Sequence, residues 1–220
     1  MSFLADPYYR ELLLAGGRMT LAISLAVIVA SNLLALPLAI HMQRPGARLR
    51  RVVLAYSFFA RAVPALAILF ALYYGLPRLG IYLEPVPAAI VGLIFASTAY
   101  NLEFLRSGFE SIPAGQADAA RALGLGPVAT YLKVLVPQAY AAASPALFSN
   151  AVQMVKGSSL ASLVAVTELT ATSTTIIADT YKAIQVLLVV AAIYGLIALV
   201  ILGLQVVVES RRRLLHPKSG

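Results

Sequence analysis

SGFESIPAGQADAARALGLGPVATYLKVLVP, Ser107 to Pro137, lies between two long apolar segments and holds Glu110, Asp118, Arg121 and Lys133. So many charges are not expected inside a bilayer, and the stretch reads as a loop facing water. It is ordered in pattern. Pro113 can open a helix, Ala117 to Leu123 is rich in helix formers, and Gly124 stands where that helix would stop. Gly126-Pro127 then restarts a second helix, which Pro137 is expected to end or kink. A short helix, a tight break and a second helix make a knob on which a partner can push.

Outward from this loop the chain is mostly apolar. Of its 220 residues 60% are hydrophobic and 12% charged, with no Cys and no Trp. Uninterrupted apolar runs long enough to span a bilayer, about eighteen residues or more, recur along it. The expected fold is therefore all-α and integral to a membrane. A single domain over residues 1–220 would have five spans, near 17–40, 52–74, 86–105, 138–166 and 183–208, with the loop at 107–137. The absence of Cys excludes disulfides and thiolate metal sites. His41 and His216 are too far apart in sequence to suggest a site and read as solvated polar residues.

Charge sets the orientation. Arg44, Arg48, Arg50 and Arg51 crowd the first loop, Arg106, Arg121 and Lys133 the knob region, and Arg211 to Arg213 and Lys218 the tail. Only Arg10, Arg18, Arg78 and Lys182 fall on the other side, eleven against four. By the positive-inside rule the knob and C-terminus are cytoplasmic and the N-terminus is outside. The net charge of +8 could suggest nucleic acid, but its distribution by side of the membrane argues for topology instead. Residues 1–16 lack a basic n-region and a small-residue cleavage site, so no removable leader is expected there. The Gly/Pro-rich stretch Leu72–Pro85 and the polar stretch Thr170–Lys182 read as outer loops.

Three charges at or beside membrane depth stand out: Arg61, Lys156 and Glu168. Arg61 lies about 15 Å past the Arg50–Arg51 edge, near mid-membrane depth. Lys156 falls mid-span in the fourth segment, with Glu168 near its outer end. Buried charges are costly and rarely face lipid, so each needs a partner, carbonyls or a watery cavity. For Arg61 a structural carboxylate partner and a place in a translocation path are both open. Ser158, Ser159 and Ser162 suit close helix packing, and Pro145 a kink in the same span. Glu103 and Arg106, three apart on one helix face, suit a local structural ion pair. If Arg61, Lys156 and Glu168 share a cavity, the two cations could hold a substrate carboxylate and Glu168 an ammonium.

These residues carry a resemblance. Asp118-Ala119-Ala120, three residues, Gly124, nine residues and Val134-Leu135-Val136-Pro137 resemble the EAA motif of ABC importer permeases, with Asp for Glu and Val for Ile and Leu. GGRMTL, Gly16–Leu21, resembles the subfamily opening G-x-x-x-T-L. AYNLEFLRSGFESIPAGQADAA resembles the stretch A-Y-x-x-E-x-x-R-x-G-x-x-S-I-x-x-G-Q-x-E-A-A of polar amino acid permeases, matching Tyr100, Glu103, Arg106, Gly108, Ser111, Ile112, Gly115 and Gln116. Arg61 and Pro64 match two positions of F-x-R-G-T-P-L-L, with Ala62 and Val63 for Gly and Thr. Val155 to Leu169 resembles K-x-T/S-S-L-x-S-x-I-x-V-x-E-L. The ordered motifs run from about Thr20 to Leu169.

The resemblance implies a type I importer permease of the polar or basic amino acid type in a bacterial inner membrane. Asp118, Ala119, Ala120, Gly124 and Pro137 would couple it to a separate ATPase subunit carrying ATP and Mg. A second permease subunit and an extracytoplasmic substrate-binding protein complete the implied partners. Arg61, Pro64, Lys156 and Glu168 are the candidate path residues. The implied substrate is an amino acid or derivative: histidine, arginine, glutamate or an opine. The chain has no G-x-x-x-x-G-K-S/T, H-E-x-x-H or G-x-S-x-G motif, so no catalytic residue, metal site or resident cofactor is expected in it. The alternative is an ion-coupled secondary transporter or channel using the same charges as a relay.

Overall fold

The computed structural model describes residues 2–43, 46 and 49–215. Arg44, Arg48, His216 and Lys218 lie outside the described residues. The described residues contain helices and turns and no strand. The α-helices are α1 (Pro7–Met42), α2 (Arg50–Ala62), α3 (Ala65–Phe70), α4 (Pro85–Glu110), α5 (Gly115–Ala122), α6 (Pro127–Thr130), α7 (Val136–Gly157), α8 (Leu169–Thr180) and α9 (Ala183–Leu215). Among the described residues α1, α4 and α9 are each long and apolar enough to cross a membrane, and two broken helix pairs raise the count to five if each is one span. In the apolar windows of these three helices 61% of residues are buried in α4 but only 17% in α9. An apolar helix left bare to that degree belongs against lipid or another subunit.

Several boundaries differ from the sequence expectation, each for a local reason. The helix that carries the first expected span, Gly17 to Ile40, starts earlier, at Pro7. Asp6 accepts a hydrogen bond from the Tyr8 N–H at 2.9 Å, and proline follows it at the first helical position, a capped start. The second span is interrupted between α2 and α3. Pro64 disfavours helical backbone in the residue before it, and Val63 is extended, with φ −87 and ψ 132. After α7 the chain tightens into a 3₁₀ segment, Ser158–Val164, in which Ser158, Ser159 and Ser162 each donate to the carbonyl three residues back. Pro145 sits within α7 without ending it.

The stretch read as the second outer loop is instead α8. Several of its hydroxyls bond back into the helix, Ser173 and Thr174 to the Thr170 carbonyl, Thr175 to that of Ala171 and Thr180 to that of Ile176. The buried positions Leu169, Thr172, Ser173 and Ile176 follow helical spacing. Polarity here marks self-satisfied hydroxyls, and the core-facing stripe decides the structure.

The chain divides into two compact units, one of Met1–Ile28, Ala65–Leu93 and Ala151–Gly220, the other of Val29–Pro64 and Ile94–Asn150. The first has a core of Phe3, Leu13, Leu169, Ile176, Val186 and Val190. The second packs Ala35, Ala39 and Met42 of α1 with Val53 of α2, Leu102, Leu105 and Phe109 of α4 and Ala139 and Ala143 of α7. It also contains a buried polar knot. Asn150 donates to Ser97 Oγ at 3.0 Å and to Asn101 Oδ1 at 2.8 Å, while Ser97 and Asn101 both donate to Ser31 Oγ at 3.0 Å. These side chains bind α1, α4 and α7 together where water is excluded.

Candidate functional site

The knob is built within the second unit. α4 ends at Glu110, and Ser111 donates its hydroxyl to the Gly108 carbonyl at 2.8 Å as the chain turns. α5 follows after Pro113. At its end Leu125 N–H bonds the Ala120 carbonyl at 3.1 Å and Gly124 N–H bonds that of Arg121 at 2.9 Å. This pair of bonds is a Schellman closure, and Gly124 takes the left-handed conformation it requires, φ +81. The stop expected at Gly124 is present for that reason. Gly126 is extended and precedes Pro127 at the first position of α6.

The chain does not break at Pro137. A π turn, Tyr131–Leu135, joins α6 to α7 directly, so the expected helix end or kink is replaced by a widened turn. Proline in a helix crowds the carbonyl four residues earlier and offers that carbonyl no N–H. Here that carbonyl belongs to Lys133, inside the widened turn.

Asp118 and Ala119 of α5 are exposed, while Ala120 faces inward at 4% exposure. Asp118 and Arg121 pair on the exposed face. Beyond them Leu123 is 83% and Val128 69% exposed, two apolar side chains standing out on a charged knob. Such a rim offers another protein an apolar contact flanked by charge.

Above the knob, Glu103 organises a charge ladder between α2 and α4. Its Oε1 accepts from Ser57 Oγ at 2.7 Å and its Oε2 from Arg106 Nε at 2.9 Å. Arg106 also reaches Glu110 at 2.5 Å, one further turn along α4. Arg61 stands 3.6 Å from Glu103, donates its Nε–H to the Ser57 carbonyl at 3.2 Å, and keeps 40% of its side chain exposed. Glu103 therefore pairs closely with Arg106 and loosely with Arg61. Pro64 is exposed just past the break that ends α2.

Lys156 and Glu168 belong to the first unit. Glu168 is fully buried and caps α8. Its Oε1 accepts from the Thr170 and Ala171 N–H groups at 2.8 and 3.0 Å, and its Oε2 from Thr20 Oγ1 at 3.3 Å and Tyr194 OH at 2.5 Å. Four donors occupy the carboxylate. Gly16 makes the arrangement possible: a Cβ there would meet Leu169 Cα at 3.1 Å and the Glu168 carbonyl carbon at 3.2 Å, so only glycine lets α1 bring Thr20 this close.

Lys156 instead borders a cavity of about 580 Å³, shared with Ser159, Thr170, Ser173, Tyr194 and Gly195. The Tyr194 phenol donates to Glu168 and is 3.1 Å from the Thr170 hydroxyl, so the buried carboxylate holds the phenol directly and the Thr170 hydroxyl through it. Lys156 makes no ion pair among the described residues. The cavity thus presents one unpaired cation and a group of hydroxyls among apolar walls, suited to a small ligand bearing a carboxylate. Thr170, Ser173 and Tyr194 were not singled out by sequence reasoning. Tyr194 had one signal, the one hydroxyl in the otherwise apolar run of α9 between Gln185 and Gln205.

A family described as the binding-protein-dependent transport system inner membrane component matches residues 19–214. The chain belongs to this family. Among relatives, it is 37% identical over 150 residues to the probable amino-acid ABC transporter permease YckA of Bacillus subtilis (strain 168), covering 68% of this chain and 66% of that protein. It is 29% identical over 207 residues to the nopaline transport system permease NocM of Agrobacterium fabrum (strain C58 / ATCC 33970), covering 90% and 86%. A crystal structure of an amino acid ABC transporter with histidines superposes with a TM-score of 0.84 at 29% identity, covering 95% of this chain and 98% of that one. The matched residues 19–214 take in the knob, the charge ladder and the Lys156 cavity.

Proposed function

We propose that this chain is the permease subunit of an ATP-driven importer for amino acids or amino-acid derivatives, working with a separate ATPase that carries ATP and Mg. The observation that carries the reading is the knob, in which a Schellman-closed helix presents Leu123 and Val128 to solvent beside Asp118 and Arg121. Asp118, Ala119 and Gly124 form its docking face, Ala120 packs beneath that face, and Pro137 is its root. The charge pattern supports a cytoplasmic knob and C-terminus with the N-terminus outside. The bare apolar face of α9 supports a second permease subunit beside it, homologous or identical. An extracytoplasmic binding protein delivers the substrate, in keeping with the family description.

On this reading Arg61, Pro64 and Lys156 lie along the substrate's path. Lys156 receives the substrate's carboxylate in its cavity, and Glu168 acts indirectly by holding Thr170 and Tyr194 in place. Arg61 has spare donors on an exposed guanidinium for the same kind of group.

The test is ATP hydrolysis and uptake by the chain reconstituted with its ATPase, permease partner and binding protein. Gly124→Trp is expected to abolish substrate-stimulated hydrolysis, because it strains a positive-φ position and obstructs the knob's seat. Gly124→Asn, which tolerates that backbone, should keep most of it. Equal stimulation in wild type and Gly124→Trp would remove the knob from coupling. Uptake collapsed by an ionophore but indifferent to ATP depletion would replace the whole reading with an ion-coupled one. In the same system Lys156→Gln should raise the half-saturating substrate concentration about tenfold, the loss of one charge-assisted contact. An unchanged value would take Lys156 off the path.

A further inference from the structure

Between the knob and α7 the chain changes pitch. The Tyr131–Leu135 π turn holds one more residue than an α turn would, and such turns are rare and concentrate at functional positions. Directly after it, Gln138 touches two elements at once. Its Nε2 donates to the Val134 carbonyl inside the π turn at 2.9 Å and to Gln116 Oε1 of α5 at 3.3 Å. Between α5 and the same turn lies a hollow of about 180 Å³, bordered by Phe109, Ile112, Ala114, Ala117, Tyr131 and Leu135. α5 is thus not packed flat onto the turn. An amide bridge ties the two together beside an unfilled space.

We propose that Gln138 is a positioning residue for energy coupling, fastening Gln116 of α5 to the π turn so that a displacement of α5 is passed into α7. This rests on the reading of α5 as the ATPase-docking helix. The hollow gives α5 room to move. The π turn can pass that motion on, because releasing its extra residue into α geometry moves the following helix by about 1.5 Å along its axis. Without the bridge, α5 settles into the hollow and its motion is lost before it reaches α7.

The experiment measures substrate molecules imported per ATP hydrolysed, in proteoliposomes holding the full chain with its ATPase, permease partner and binding protein. Gln138→Leu and Gln116→Leu are each expected to lower this ratio about fivefold, and the double variant to fall no further than either alone. Gln116→Glu keeps an acceptor for the Gln138 amide and should retain the wild-type ratio. A merely structural role would lower the yield of assembled transporter and leave the ratio unmoved. An unchanged ratio in Gln138→Leu overturns the proposal, as do losses that multiply in the double variant. Loss of the ATPase from Gln138→Leu alone would make Gln138 a docking residue and overturn it too. Failure of the wild-type chain to hold an ATPase would overturn the parent reading, and this bridge with it.

Discussion

Glu168→Ala is expected to destabilise the protein by about 3–4 kcal/mol, read as a fall of about 10 °C in the apparent melting temperature in detergent. The carboxylate is fully buried and accepts four hydrogen bonds, two from the first N–H groups of α8 and two from Thr20 and Tyr194. Losing the cap costs about 1 kcal/mol. The larger share comes from donors left in a closed space, since each unsatisfied buried group costs about 1–3 kcal/mol and only some can rearrange. Thr20 is also tied to Leu169 N–H at 3.2 Å, so α1 loses part of its hold on α8 as well. Glu168→Gln should cost about a third as much. Its carbonyl oxygen still accepts from Thr170 and Ala171, and its amide can face the two hydroxyls, which can turn to accept. A melting temperature for Glu168→Ala within 2 °C of wild type would show that the four bonds contribute nothing net.

That cap also shows what sequence alone could and could not convey. Glu168 was legible as a charge at the end of a span, and a charge at that depth invites a functional reading. Its true setting depends on Gly16 and Thr20, about 150 positions earlier, which no local pattern connects to it. The threonine-rich stretch after it read as a loop because polar residues usually mean solvent. The hydroxyls of Ser173, Thr174, Thr175 and Thr180 bond carbonyls of α8 itself, and only the spacing of Leu169, Thr172, Ser173 and Ile176 hinted at a helix. Within short range the reading was better. Gly124 ends α5 through geometry that only its immediate neighbours set, and Glu103 meets Arg106 through helix periodicity alone. Arg61 and Ser57 complete that ladder from a different helix, beyond any local pattern. The knot of Ser31, Ser97, Asn101 and Asn150 was likewise hidden, because serine and asparagine scattered over three helices carry no periodic signal. Pro137 differs in another way: a helix end or a kink is expected from it, whereas a π turn takes up its effect without ending the helix.

Gly108 carries the second large effect. A Cβ there would run into the Ala139 carbonyl oxygen, with the carbonyl carbon at 3.1 Å and the Ala139 Cα at 3.3 Å. The obstacle is backbone, so no rotamer change relieves it, and α4 and α7 must move apart to admit even a methyl group. They are packed around this point by Leu105 and Ala139, both fully buried, and by Phe109 and Ala143, nearly so. Close approach of two helices through small residues supplies much of the association energy within a membrane, where the hydrophobic effect does not hold helices together. Gly108→Ala should therefore cost about 2 kcal/mol and Gly108→Val about 3 kcal/mol or more, against the general expectation that alanine stabilises a helix relative to glycine. Gly115→Ala is the control, since a Cβ at Gly115 meets nothing within 4 Å, and it should be neutral or slightly stabilising. The measurement is thermal unfolding of the three variants in one detergent, beside the fraction of each that assembles with the partner subunits. If Gly108→Ala melts with wild type, α4 and α7 have slack at their crossing. The knob, which leaves α4 just past Gly108 and enters α7 just before Ala139, would then stand on a compliant base that damps motion at its root. If it melts well below while Gly115→Ala does not, the crossing is rigid, and a push on the knob has a firm pair of helices to act on.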